Sequence, residues 1–74
     1  MSKYIKLLER LHYQNVYLIN KIHQIVLRSV PGLKLNFYTK QKGGVEYSIH
    51  FTADLAIETL RIGSEITKRR YEKY

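Results

Sequence analysis

The feature that most constrains this chain is where it breaks. Pro31-Gly32 and Lys42-Gly43-Gly44 hold the sole proline and three of the four glycines. A proline biases the residue before it away from helical geometry, and glycines suit helix exits and tight turns. The two breaks divide the sequence into a long first segment, two short ones and a last one. In the first segment Ile5, Leu8, Leu11, Leu18, Ile19, Ile22, Ile25 and Val26 recur at spacings of three and four. That is one stripe of a helix. The spacing therefore predicts a single helix over about 3–29, capped by Ser2 and roughly 40 Å long.

The short segments read differently. Leu33, Leu35, Phe37 and Thr39 alternate with Lys34, Asn36, Tyr38 and Lys40. After the glycines Val45, Tyr47, Ile49 and Phe51 alternate with polar residues. Period two means strands, and together they predict a hairpin over about 33–51. A three-residue loop at 42–44 puts both apolar rows on one face, with Phe37 opposite Ile49 and Lys40 opposite Glu46. The last segment carries Leu55, Ala56, Leu60, Ile62, Gly63 and Ile66 on a broad face behind Thr52 or Asp54 as cap, predicting a second helix over about 53–72. The expected architecture is α+β in the order α-β-β-α: a long N-terminal helix, a hairpin and a C-terminal helix in one compact domain spanning 1–74.

Such a domain is short of core. A chain of 74 residues buries only roughly 60–65% of the surface its unfolded form exposes. With no cysteine it has neither disulfides nor thiolate metal sites to compensate, which suits a reducing, cytoplasmic setting. A second copy is the remaining device. Written in sevens, the predicted first helix places Leu8, Asn15 and Ile22 at one seam position and Leu11, Leu18 and Ile25 at the other. This is a coiled-coil register with one central Asn, so these six residues are the expected homodimer interface, the alternative geometry being hairpin edges joined into a four-stranded sheet. No stretch approaches the ~20 apolar residues of a membrane span, and no membrane association is expected.

Chemistry is sparse. His12 and His23 would stand about 16 Å apart along the predicted helix, and His50 has no acid within local reach to orient it. No phosphate-loop or nucleophile motif occurs. The sequence therefore predicts no enzyme, no cofactor and no metal site. Charge is the stronger signal: 13 Lys and Arg against 6 Asp and Glu give +7. Basic folded modules bind phosphate backbones or acidic proteins. Lys6, Arg10, Lys21 and Arg28 would form a cationic ridge on the first helix. Lys34, Tyr38, Lys40 and Lys42 would add a hairpin platform on which a base stacks while lysines hold phosphates. The leading expectation is non-catalytic DNA or RNA binding by a dimer. The alternative is a protein-binding adaptor or inhibitor, of phage, virus or plasmid type, that targets an acidic partner surface.

Overall fold

The computed structural model of the chain describes residues 3–31 and 36–74. The expected cap at Ser2, and the expected strand residues Leu33, Lys34 and Leu35, lie outside them. Eight elements follow one another: α1 (Lys3–Arg10), β1 (Val16–Asn20), β2 (Ile25–Ser29), β3 (Asn36–Gln41), β4 (Tyr47–His50), α2 (Asp54–Ile62), β5 (Ser64–Glu65) and α3 (Lys68–Lys73). The strands make one antiparallel sheet in the order β4-β3-β2-β1-β5. The expected α-β-β-α architecture is thus replaced by a five-stranded sheet with short helices toward both ends of the chain.

The predicted helix over 3–29 fails after its first eight residues. Leu11 closes the last α1 turn by donating its N–H to Leu7 O (3.1 Å), and a further bond from Gln14 N to Arg10 O (2.9 Å) ends the coil. From Val16 onward the segment is rich in β-branched and aromatic residues, which lose side-chain freedom in a helix and fit a pleated surface. Burial explains the rest. Ile25, Val26 and Leu27 are 2%, 0% and 1% exposed. Three consecutive residues spread over some 200° of a helix, so all three can be buried only if protein covers more than half of its circumference. In a strand covered on both faces they can. β1 and β2 lie inside the sheet with protein on both faces, so their apolar runs are continuous instead of alternating.

The reversal between them carries no glycine or proline. Asn20 makes it instead: its side-chain Oδ1 accepts from Ile22 N (3.1 Å) and His23 N (3.2 Å), while Nδ2 donates to Thr59 Oγ1 (3.1 Å). Gln24 completes the turn at φ 55°. With the long helix gone, the expected dimer seam dissolves. Leu18 and Ile25 are core residues, Leu8 and Leu11 are half-buried at α1, and Asn15 and Ile22 are exposed in separate loops.

The β3–β4 hairpin keeps the expected register, with Phe37 opposite Ile49. Gly43, at φ 73°, supplies the left-handed position of its turn. The second predicted helix over 53–72 is interrupted at Gly63. An added Cβ there would lie 2.4 Å from Thr59 O and 3.2 Å from Ile19 O, so only glycine lets the chain pass this close to α2 and β1. The two residues beyond it pair with β1, Leu18 opposite Glu65 and Ile19 opposite Ser64. Neither expected cap is used at the start of α2. The N-cap is Ala53, without a side-chain bond, while the Thr52 hydroxyl bonds His50 Nδ1 at 2.7 Å.

The sheet separates two apolar layers. On one face α1 and α2 cover Val16, Leu18, Ile25, Leu27 and Phe37 with Leu7, Leu11, Ala56 and Leu60. On the other, Ile19 and Val26 meet Ile66 and Tyr71 from the α3 end of the chain.

Candidate functional site

The second layer is small, and polar contacts extend it. Tyr71 is the one α3 residue that is buried, at 3% exposure. Its ring packs on Tyr17 (centroids 5.5 Å apart), and its hydroxyl donates to Glu46 Oε2. Glu46 also receives a two-pronged bond from Arg28, Nε to Oε2 at 2.8 Å and Nη2 to Oε1 at 3.0 Å. Arg28 lies on β2, Glu46 precedes β4 and Tyr71 sits on α3, so this triad ties the α3 end of the chain to the sheet.

The charges respond accordingly. The Arg28 guanidinium, against the opposing effect of burial and with help from the Tyr71 hydroxyl, holds the Glu46 carboxyl down at about 2. Glu46 in turn raises Arg28 above its usual value, and burial, then Glu46, pushes the Tyr71 hydroxyl up. Two cation–ring contacts flank the triad: Arg28 Cζ is 4.4 Å from the Tyr38 ring centroid, and Lys40 Nζ is 4.9 Å from that of Tyr71. A groove of about 420 Å³ opens beside these groups, between Lys68 and Glu72 of α3 and the sheet residues Tyr17, Arg28 and Lys40.

The residues expected to bind nucleic acid are therefore divided. Arg28, Tyr38 and Lys40 share the α3 face, and Lys42 stands in the turn at its edge. Lys6 and Arg10 are on α1, which covers the opposite face, and Lys21 projects from the β1–β2 turn. Lys34 is outside the described residues. No helical ridge unites them. Two of the arginines already hold acids of this chain: Arg28 holds Glu46, and Arg10 grips both carboxylate oxygens of Glu65, with Nη1 to Oε1 at 2.8 Å. The bond to Glu65 is also the main cause that raises Arg10 above its usual value. The stacking platform expected at Tyr38 has the Arg28 guanidinium on one side of its ring.

Sequence reading passed over Glu46, Lys68 and Tyr71 as site residues. The available signal was Thr67, which caps α3 by accepting from Arg70 N at 3.1 Å and so marks the start of a separate basic helix.

The opposite face has an apolar groove of about 550 Å³ where Leu8, Leu11 and His12 meet Phe37, Phe51 and Ile57. The other histidines are engaged elsewhere, His23 with Glu58 of α2 (2.9 Å) and His50 with Thr52. Among the described residues no three His, Asp or Glu side chains gather into a metal-holding group, and no helix is long and apolar enough to cross a membrane.

No family model and no curated protein matches the chain. A solved structure does: a chain in the crystal structure of the complex between the Type VI effector Tas1 and its immunity protein. It superposes with a TM-score of 0.73 at 20% identity, covering 84% of this chain and 83% of that one. The two chains therefore share a fold over most of their lengths. The likeness is to a component of a protein–protein complex, and a nucleic-acid ligand gains no support from it.

Proposed function

We propose that this protein is a small, non-catalytic protein-binding inhibitor of the immunity type, acting in the cytoplasm by docking on and neutralising an effector-like protein. The observation that carries this reading is the shared fold, at a TM-score of 0.73, with a chain from an effector–immunity complex. The charge arrangement supports it. A nucleic-acid module leaves its arginines free for phosphates and base edges, whereas here Arg10 and Arg28 are each held by a glutamate of the same chain. The chemistry of the remaining surface suits recognition better than turnover, since its histidines are scattered over two separate turns and the end of β4.

Affinity purification of the tagged chain from its native cells, followed by mass spectrometry, tests this reading. The expected result is a co-purifying protein that arrests growth when expressed alone, with growth restored when the present chain is co-expressed. A co-purifying protein whose toxicity is not relieved, or an eluate containing nucleic acid and no protein, would overturn it.

A further inference from the structure

The α3 face carries more charge than its triad consumes. Lys68, Arg69, Arg70 and Lys73 are all exposed on α3. Helical spacing sets Arg69 and Lys73 one turn apart, on the side facing away from buried Tyr71. Lys42 joins them from the β3–β4 turn, because Gly43 N bonds Tyr74 O at 2.7 Å and brings that turn against the α3 end of the chain. Lys40 reaches the α3 end of the chain from the sheet, over the Tyr71 ring, and donates to Glu72 O at 3.3 Å. Glu46 is committed to Arg28 and Tyr71. Among the described residues of this face, Glu72 is then the one acid left among six cations.

We propose that the α3 face is the docking surface, and that its occupant is an acidic protein surface with clustered Asp and Glu carboxylates. The inference rests on the protein-binding reading above and goes further by naming the face and the chemistry that fits it. Charge complementarity selects this occupant. A second copy placed here would bring two sets of six cations together, which opposes association. The groups here that would read a nucleic acid's bases are already engaged: Glu46 fills the Arg28 fork, and Arg28 covers one face of the Tyr38 ring. Carboxylates need neither. Lysine and arginine heads on an exposed helix attract them at long range and set the orientation of docking, with tyrosines beside them to supply contact area.

The test uses the full chain, the triple variant K42E/R69E/K73E and the control F51S/I57S on the opposite apolar groove. The three cations make no hydrogen bond or ion pair among the described residues, so the charge-reversed variant should melt at the same temperature as the parent. Each version is used for affinity purification, and the protein recovered with the parent is then purified and titrated against all three. The expected result is binding that weakens on going from 50 to 300 mM salt, falls about tenfold or more in K42E/R69E/K73E and is unchanged in F51S/I57S. Loss in F51S/I57S with retention in K42E/R69E/K73E overturns the proposed face while leaving the inhibitor function standing. Failure to recover any protein overturns both. Recovery of nucleic acid alone, lost on charge reversal, would assign the face to a different occupant and refute the proposal.

Discussion

Replacing Glu46 with Gln tests the part of the structure on which the α3 face depends. The substitution keeps size and one acceptor oxygen but removes the charge that Arg28 grips with two nitrogens, and it turns an NH₂ group toward other donors. The folded-state carboxyl sits at about 2 against a usual value of 4.5. Because the folded value is the lower one, the stabilisation is fully present above about 4.5 and disappears as pH falls through the interval down to about 2. Taken whole, the difference would be worth about 3 kcal/mol at neutral pH. A third of the Glu46 side chain is in contact with water, where screening weakens the pair, so about 1–2 kcal/mol is the expected loss in E46Q. Urea denaturation followed by circular dichroism at pH 7, 5, 3.5 and 2.5 reads this directly. The gap between parent and variant should hold from pH 7 to 5 and close toward pH 2, where the parent's own carboxyl is protonated. A gap that stays constant with pH, or a variant as stable as the parent at pH 7, would refute the reasoning.

Three further substitutions separate buried from exposed contributions. Asn20→Ala leaves two turn N–H groups and the Thr59 hydroxyl without their partner at a position 1% exposed; a loss of about 2–3 kcal/mol is expected, with faster amide hydrogen exchange at Ile22 and His23. Gly63→Ala gains about 0.4–1 kcal/mol from a stiffer unfolded chain, since φ −66° and ψ 152° suit alanine, but its Cβ meets two backbone oxygens that cannot move aside cheaply. Overpacking of about 1–3 kcal/mol wins, and thermal melting should show a net loss. Arg10→Ala removes a two-pronged pair whose side chains are 33% and 46% exposed; it should cost less than about 1 kcal/mol in urea denaturation, and less still in 0.5 M salt.

How much of this was legible in the sequence depends on which face of each strand meets water. β4 is an outer strand with its side chains largely exposed, so period two survived into the sequence and the register of Phe37 against Ile49 could be placed. β1 and β2 are covered on both sides. Their runs Leu18-Ile19 and Ile25-Val26-Leu27 carry no alternation, and they happen to complete the helical spacing begun by Ile5, Leu8 and Leu11. The turn that would have separated the readings is made by an asparagine side chain and a residue at positive φ, chemistry that Gly and Pro counting does not detect. Gly63 was visible as a residue and invisible as a break, because its necessity comes from Ile19 and Thr59, one of them 44 positions away. The charges follow the same logic. A net of +7 was readable at once, but spacing along a chain gathers charges only on one local element. Arg28 finds Glu46 across 18 positions and Arg10 finds Glu65 across 55, pairings that exist only after the sheet has formed. Those two contacts take from the expected binding set the groups best suited to phosphate. They leave the surplus on α3, which the expected helix over 53–72 joined to Asp54, Glu58 and Glu65, acids that the structure places on α2 and β5.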